Sequence, residues 1–428
     1  MSRPPAADAP APAVPGPGAS ARLFHGWRIV AVLAVTETVS WGVLYYAFAV
    51  FQVPMGAELG FSPAVLGGAF SVAVLLTGVA GVPVGRWLDT HGARGLMTTG
   101  SAVCALLVLA WSQVHTAAQL YLVFAGIGLA RAAVLYDPAF AVVVRWFHAK
   151  RSSALLAITV VAGFASTVAL PVSNALVEQL GWRAGLMVLA AVLAATTVLP
   201  HWLVLRRDPA DLGLHPDGGP ALASPAPDGS SRPGLAATLR WATRHTAFRW
   251  YAVAFASQAT AVIVVAVHLV PFLRENGHSA GFAAAATGAL GALSVSGRLV
   301  MTGALRRVPV AVVTAAMFAL QGAGVLVLLR AGTSTAGAVV FVLLFGLGFG
   351  VGTIARPALL AATFGVAHYA TIAGLLALVV TLATTAGPLA AGLARTETGS
   401  YTPALVGVAL LCAVSAAGLF RAGRLARS

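Results

Sequence analysis

The sequence predicts an all-α membrane protein with twelve transmembrane helices in two six-helix bundles related by a pseudo-twofold axis. Hydrophobic residues make up 59% of the chain and charged residues only 9%, a composition that excludes an ordinary soluble domain. Apolar segments of about 20 residues, the length that crosses a bilayer as a helix, recur along the whole chain. A polar stretch rich in Pro, Gly and Ser, residues 206–247, divides these segments into two sets of six.

The predicted spans are joined by short connections. They cover residues 28–52, 62–84, 95–113, 117–141, 152–177, 183–205, 248–272, 281–304, 309–330, 336–360, 369–394 and 401–420. The first 21 residues are rich in Pro and Ala and cannot form the apolar core of a signal peptide, so we expect a disordered tail. The predicted units are a cytoplasmic tail (1–21), an N-terminal bundle (22–205), a cytoplasmic linker (206–247) and a C-terminal bundle with a short basic tail (248–428).

The net charge of +14 is distributed in a way that indicates topology. Basic residues concentrate in both tails, in the linker and in alternate loops, as at Arg86 and Arg94, at Arg145, Lys150 and Arg151, and at Arg306 and Arg307. The positive-inside rule therefore predicts that both termini and the linker are cytoplasmic, and nucleic acid is not expected as a partner. The dominance of Arg over Lys is typical of a GC-rich bacterial genome and favours the bacterial inner membrane as the location.

The two halves resemble each other. The matched residues, each pair separated by 217 to 219 positions, are Pro138 with Pro357, Pro171 with Pro388, and Gly85 with Gly303. A nearly constant separation favours a duplicated unit, the architecture of many secondary transporters. The alternative is a chance alignment of prolines in helical spans.

A loop motif carries a family resemblance. The stretch "GRWLDTHGAR", between predicted spans 2 and 3, resembles the signature of the major facilitator superfamily, although Thr90 stands where a basic residue is usual. "FHGWRI", "RWFHAKRSSALL", "LGWRAG" and "RRDPADLGLHPDG" are similar to the branch of monocarboxylate transporters and oxalate/formate antiporters. The resemblance implies that spans 1, 4, 7 and 10 line a central cavity. It also implies that Asp89, with Arg94, takes part in gating by contacting the start of span 11.

Five ionisable residues interrupt the predicted spans. An ionised side chain at the bilayer centre costs about 2.5–3.5 kcal/mol on insertion scales, so such residues face a wet cavity or a partner. They are Glu37 in span 1, Arg131 and Asp137 in span 4, Arg298 in span 8 and Arg356 in span 10. Lipid exposure of the whole set is excluded.

Glu37 and Arg131 are expected at a similar depth on spans 1 and 4. The first hypothesis is that they form an ion pair in which Glu37 is the protonatable member, so that the pair couples transport to protons. The alternative is a permanent structural ion pair that never titrates.

Asp137 and Arg356 fall on equivalent positions of the two halves. We expect them to form an interdomain gate that closes the cytoplasmic side. The competing interpretations are a substrate-binding role for Arg356, or separate partners for each residue. His268, near the outer end of span 7, is a further gating candidate, against the alternative of an ordinary hydrogen-bonded histidine.

Arg298 is the leading candidate for substrate contact. It shares a polar stripe with Ser294, and a guanidinium holds a carboxylate with two parallel hydrogen bonds. Resemblance to monocarboxylate transporters, which have an arginine in span 8 implicated in carboxylate binding, implies the same role. The alternative is an arginine whose head group reaches the interface. Other predicted lining residues are Trp41, Tyr45 and Asn174, which could also be interface anchors or contacts between helices.

The function that these patterns predict is secondary transport of a small organic anion, coupled to protons or to a counter-anion. Arginines outnumber carboxylates among the five intramembrane residues, which favours an anionic substrate. The alternatives are a drug or metabolite exporter, a transporter-like sensor or a membrane enzyme. The sequence contains no metal cluster, phosphate loop or nucleophile with a base, so no enzyme activity, metal or cofactor is expected. Cys104 and Cys412 are interpreted as core thiols, and the protein is expected to be monomeric in the lipid bilayer.

Overall fold

The computed structural model describes residues 24–218, 234–305 and 307–425. The predicted tail 1–21, the middle of the linker and Arg306 lie outside these residues. The described chain is almost entirely helical, and its helices are long and apolar enough to cross a membrane. The predicted all-α membrane class is confirmed.

The N-terminal half contains six spans, several of which are made of consecutive helices. Span 1 is His25–Trp41, Gly42–Tyr46 and Ala47–Leu59; span 2 is Pro63–His91; span 3 is Ala93–Trp111; span 4 is Ala117–Arg131 and Tyr136–Trp146. Spans 5 and 6 come from Arg151–Ala162, Ala165–Leu193, Ala194–Val198 and Leu199–Val204. Gly181 has a φ of 77°, a left-handed conformation that favours glycine, and it separates these two spans inside the helix Ala165–Leu193.

The C-terminal half follows the linker helix Leu235–Arg244. Its spans 7 to 12 are Thr246–Glu275, Ala280–Ala304, Val310–Ala331, Thr335–Phe349 with Val351–Phe364, Tyr369–Thr398, and Thr402–Leu425. Both described chain ends lie on the same side of the bundle as residues 205–218, and we call this the linker side. Within the described residues, eleven helical segments are long and apolar enough to cross a membrane, and they make twelve when Arg151–Val204 is divided at Gly181.

Several span boundaries differ from the sequence prediction. Span 1 continues to Leu59 rather than residue 52, and span 4 continues to Trp146 rather than residue 141. The stretch "AVVVRW" at the end of span 4 is helical and mostly buried, because it packs beneath spans 1 and 2 on the linker side. The added residues change the depth at which the charged side chains of spans 1 and 4 lie.

Spans 2 and 11 form the closest contact between the two halves. A Cβ atom on Gly85 would lie 2.1 Å from the carbonyl oxygen of Ala370, and one on Gly374 would lie 2.1 Å from that of Gly81. Only glycine allows such an approach of backbone to backbone. We call this contact, between the linker-side ends of the two spans, the glycine seam.

The first part of the linker is attached to the N-terminal half. The carboxylate of Asp217 accepts the backbone N–H groups of His148, Ala149 and Lys150 at 3.1, 2.8 and 3.1 Å. These groups precede the helix that starts at Arg151, where unsatisfied N–H groups and the helix dipole favour an anion. Residues 205–218, which we call the strap, are thereby fixed across the end of span 5.

Candidate substrate cavity and gate

The candidate site lies where the spans that carry charged residues are interrupted. Span 1 has a π-helical turn at Gly42–Tyr46, span 4 is non-helical at residues 132–135, and span 10 breaks at Gly350. Broken helices and π turns recur at functional sites, because they re-aim side chains and free backbone groups. Glu37 and Asp137 lie within five residues of the interruptions in spans 1 and 4, and Arg298, on the unbroken span 8, contacts Gly350 at the break in span 10.

Glu37 is completely buried, with 0% of its surface exposed. The indole N–H of Trp41, one turn further along span 1, is the donor nearest to the carboxylate, although within the described residues neither group makes a hydrogen bond of good geometry. Asp137 and the hydroxyl of Tyr136 are close enough to interact with Glu37 electrostatically. Burial of a carboxylate without an ion-pair partner is costly, so this position is the most unusual in the site.

The expected ion pair between Glu37 and Arg131 is not formed. Arg131 instead donates from Nε to the Thr77 hydroxyl at 2.6 Å and from Nη1 to the carbonyl oxygen of Leu44 at 3.5 Å. Leu44 lies seven residues beyond Glu37 along span 1, a rise of about 10 Å. The two side chains therefore lie at different depths, and Arg131 belongs to a level further from the linker side.

Aromatic side chains surround these charged groups. The Trp41 ring contacts Tyr45, Tyr46 and Tyr136 with centroid separations of 5.3, 6.4 and 5.2 Å. The guanidinium of Arg131 lies 5.8 Å from the centre of the Tyr45 ring. The predicted lining residues Trp41 and Tyr45 thus form one aromatic group with two tyrosines that the sequence analysis did not select.

Arg298 connects the two halves. Its side chain is 8% exposed, and it donates from Nη1 to the carbonyl oxygen of Thr159 in span 5 at 2.6 Å and from Nε to that of Gly350 in span 10 at 3.3 Å. Nη2 has no acceptor among the described residues. The charge is close enough to interact with the hydroxyl groups of Tyr46 and Tyr136.

Two predicted substrate-binding residues do not join Arg298 in this geometry. The Ser294 hydroxyl donates to the carbonyl oxygen of Gly291 in its own helix at 2.7 Å. Asn174 is exposed and donates to Glu178 at 2.6 Å. It lies eleven residues beyond Gly163, the part of span 5 that Arg298 contacts, which corresponds to about 16 Å.

Asp137 and Arg356 form an ion pair across the halves. Arg356 Nη2 lies 2.7 Å from Asp137 Oδ1, and both side chains are partly exposed, at 21% and 34%. The buried hydroxyl of Tyr369, at the start of span 11, is close enough to interact with both groups. The pair therefore ties span 4 to span 10 on the linker side of Glu37.

Asp89 joins the N-terminal half to span 11. Its Oδ1 accepts the backbone N–H of Ala370 at 3.0 Å, and its Oδ2 accepts the N–H and the hydroxyl of Thr371 at 2.8 and 2.6 Å. The helix N-terminus and its dipole favour the carboxylate at this position. Together with the Asp137–Arg356 pair and the glycine seam, this contact closes the linker side.

Arg94 and His268 occupy positions away from that closure. Arg94 stacks 4.2 Å from the centre of the Trp202 ring and donates to the Trp202 carbonyl oxygen at 2.7 Å, within the N-terminal half. His268 Nε2 lies 3.0 Å from the carbonyl oxygen of Pro388, within the C-terminal half. Neither contact crosses between the halves, so the expected gating role has no interdomain geometry at these two residues.

Several residues of the site were not predicted from the sequence. These are Tyr46, Tyr136, Tyr369, Thr371 and Thr159, which supplies only its carbonyl oxygen to Arg298. The position of Tyr136, directly before Asp137 in a span, was a usable signal. A backbone carbonyl has no sequence signal at all. Within the described residues, no group of three or more His, Cys, Asp or Glu side chains is suited to a metal ion.

Two six-helix bundles that meet on one side and enclose buried charged residues define a class of membrane transport proteins. The model of the Major Facilitator Superfamily matches residues 30–388, which is most of the chain. The chain belongs to the major facilitator superfamily, a family of membrane transporters rather than enzymes, and it is a multi-pass membrane protein.

Individual comparisons agree with this family. Bovine (Bos taurus) monocarboxylate transporter 13 is 29% identical over 257 residues, which cover 59% of this chain and 55% of the relative. This chain thus spans about half the length of that curated relative. Its fold is similar to that of FucP crystallised in the outward conformation, with a TM-score of 0.73, 16% identity and coverage of 93% and 99% of the two chains. A second structure, of the E. coli fucose:proton symporter FucP, has a TM-score of 0.71, 17% identity and the same coverage.

Proposed function

We propose that this protein is a secondary transporter that moves a small organic anion bearing a carboxylate by alternating access. The observation that carries the proposal is Arg298, a buried guanidinium at the junction of the two halves whose Nη2 has no acceptor among the described residues. The match to a protein named as a monocarboxylate transporter supports the same substrate class.

Arg298 suits a carboxylate for a geometric reason. A guanidinium presents paired N–H donors to the two oxygens of a carboxylate, and such charge-assisted bonds are strong in a water-poor site. The hydroxyl groups of Tyr46 and Tyr136 add neutral donors around the same space. Because Arg298 contacts spans 5 and 10, a bound anion would affect both halves at once.

Glu37 is the proposed site of the coupling proton. A fully buried carboxyl group without an ion-pair partner is far less costly to hold protonated than ionised. The neighbouring carboxylate of Asp137 adds to the cost of a charge on Glu37. Uptake of the anion together with a proton would keep the net charge of the cavity constant, whereas exchange for another anion would need no proton at Glu37.

Asp137 with Arg356, and Asp89 with span 11, are the proposed gate and latch of the linker side. The positive-inside rule assigns this side to the cytoplasm. Substrate would enter from the opposite side while these contacts hold, and the two halves would rock when they break. Both contacts join the halves, so separation must break them together.

Liposomes that contain the purified protein and an entrapped pH dye provide the test. A panel of small mono- and dicarboxylates is added outside, and the rate of internal acidification is measured for the wild type and for Arg298→Gln. We expect acidification with at least one carboxylate and a 10- to 100-fold slower rate in the variant, because about 1.5–3 kcal/mol of charge-assisted hydrogen bonding is removed. Arg330→Gln, at the far end of span 9, is the matched control and should behave as the wild type.

Exchange is measured in the same liposomes after they are loaded with a labelled carboxylate. Efflux of label that requires external carboxylate, without acidification, would assign anion exchange instead of proton symport. If neither assay detects transport of any carboxylate, while circular dichroism shows that the protein is folded, the carboxylate proposal is overturned. Equal rates for Arg298→Gln and the wild type would remove Arg298 from the mechanism.

A further inference from the structure

An apolar groove runs along the outer face of the N-terminal half, between spans 3 and 6, remote from the central cavity. Its volume is about 840 Å³, and alanines form much of its floor. Larger side chains, among them Leu106, Leu109, Met187 and Leu199, form its walls and are exposed. The hydroxyl of Thr98, a polar group in the lining, is already bonded to the carbonyl oxygen of Arg94 at 2.7 Å. The groove therefore offers its occupant almost no polar contact along its length.

A π-helical turn shapes the groove. Span 6 changes from α-helix to π-helix at Ala194–Val198, and Ala194, Ala195 and Val198 line the groove at this turn. A π turn inserts an extra residue into the helix, so the small alanine side chains leave space where a regular helix would present a larger surface. The depression is thus part of the backbone structure of span 6.

The length of the groove indicates the kind of occupant. It extends from Thr98 to Leu109 along span 3, about 16 Å, and from Met187 to Trp202 along span 6, about 22 Å. Both lengths are shorter than the roughly 30 Å of hydrocarbon in a bilayer, and the groove begins at the linker-side ends of these spans. An acyl chain of the linker-side leaflet fits this length.

The linker-side mouth of the groove is positively charged. The Arg94 guanidinium stacks on Trp202, a lining residue, at 4.2 Å, and only its Nε is used, in the bond to the Trp202 carbonyl oxygen. Its two terminal nitrogens have no acceptor within the described ranges. Arg207 is exposed, and its side chain packs beside Gly92, two residues before Arg94. Tryptophan and arginine at this level are the residues expected among lipid headgroups.

We propose that the groove between spans 3 and 6 is a binding site for an anionic glycerophospholipid. One acyl chain lies on the alanine floor, and the phosphate group lies against Arg94 and Arg207 at the mouth. The apolar groove selects a hydrocarbon chain, and the two arginines select a negative headgroup. This site would hold lipid in the leaflet that also surrounds the strap and the latch.

Native mass spectrometry of the detergent-purified protein tests the proposal. Phosphatidylglycerol and phosphatidylcholine with identical acyl chains are added in equal amounts, and the lipids retained are counted. We expect the wild type to retain phosphatidylglycerol preferentially. Filling the floor with Ala191→Phe plus Ala195→Phe should reduce its retention at least fivefold, because both alanines are exposed in the groove. Ala413→Phe, at an exposed alanine of span 12 outside the groove, is the matched control.

Arg94→Gln tests the contact with the lipid headgroup separately from the contact with the acyl chain. Its result does not depend on whether the filled variant folds. It should abolish the preference for phosphatidylglycerol, while Arg330→Gln should retain it. Equal retention of both lipids by the wild type, or unchanged retention in the filled variant, would overturn the proposal. A wild-type dimer that becomes monomeric when the groove is filled would assign the groove to a second copy and would also overturn it.

Discussion

Glu37 is the most completely buried of the charged residues in the site. It is fully buried, its oxygens make no ion pair with the described residues, and the Asp137 carboxylate lies within electrostatic range. Glutamine has nearly the same shape as glutamic acid but cannot take up or release a proton. A variant at this position therefore separates the titration of the side chain from its packing.

We predict that Glu37→Gln loses the stimulation of uptake by external acidity but retains exchange. Without the buried carboxyl group that takes up the coupling proton, the stimulation by acid should disappear, and proton-driven uptake should fall at least tenfold. The measurement is the pH profile of labelled carboxylate uptake in liposomes. Glu58→Gln, which removes a carboxylate paired with Arg183 at the opposite end of span 1, is the control. An unchanged pH profile in Glu37→Gln would rule out a role of Glu37 in proton coupling.

The relation between Glu37 and Arg131 illustrates how far the sequence alone could predict the site. Both residues were correctly selected as buried charges, because composition makes them exceptional. Their relative depth also depends on the non-helical residues 132–135, which lie between Arg131 and the linker-side end of span 4 and whose geometry no sequence pattern gives. A correct choice of residues therefore still predicted a contact that is not formed.

At the scale of elements, the interruptions in the helices could be predicted only where a residue forces them. Pro138 follows the break in span 4 at residues 132–135, since proline disrupts the hydrogen bonds of a helix interior. Pro357 lies inside the helix Val351–Phe364, and span 10 breaks seven residues earlier, at Gly350. The π turn in span 1 comes from "GVLYY", a stretch with no helix-breaking proline. Its geometry depends on packing against span 5, where Gly42 approaches Ala169, and no local pattern contains that information.

The strap is attached by the carboxylate of Asp217, by an ion pair between Arg145 and Asp208 at 3.7 Å, and by the Trp146 indole, which donates to the carbonyl oxygen of Arg206 at 3.4 Å. Asp217 adopts a φ of 66° and accepts three backbone N–H groups in front of span 5. We predict that Asp217→Ala weakens the protein by about 1–2 kcal/mol, as expected for the loss of a helix cap. The loss should be visible as a lower melting temperature in detergent and as faster tryptic cleavage at Arg206 and Arg207.

Two further variants separate the carboxylate from the backbone conformation. Asp217→Asn keeps one acceptor oxygen and should lie between the wild type and Asp217→Ala. Asp217→Gly removes the carboxylate but accommodates the positive φ without cost, so it should be more stable than Asp217→Ala. A strap that is cleaved equally slowly in all variants would show that other contacts hold it.

At the scale of the whole molecule, the two halves are held together on one side by contacts of different kinds. The glycine seam is backbone packing, the Asp89 contact is a capped helix end, and Asp137–Arg356 is an ion pair. The sequence predicted the two halves and the residues of the ion pair from the repeat. It could not predict that all three contacts form in the same conformation, because that depends on how the halves are oriented.

We predict that reversing one charge of the gate abolishes transport and that exchanging both charges restores it in part. Asp137→Arg and Arg356→Asp each place like charges together between spans 4 and 10, so uptake should fall at least tenfold. The double exchange re-forms an ion pair and should recover a tenth or more of the wild-type rate in the liposome assay. An inactive double exchange, with the protein folded, would contradict the gate.

The matched control is an ion pair that does not cross the halves. Arg395 and Glu275 lie 3.1 Å apart within the C-terminal half and are partly exposed. Reversal of either charge there should leave uptake within about twofold of the wild type, since exposed pairs contribute little.

The ion pair between Asp137 and Arg356 has a consequence for the ancestry of the chain. The two residues are separated by 219 positions, the spacing of the internal repeat, so they are the same position in two copies of one unit. Two identical copies would bring two like residues together there and could not form an ion pair. The pair can have arisen only after the copies diverged at this position, and a symmetric ancestor must have closed that side by other contacts.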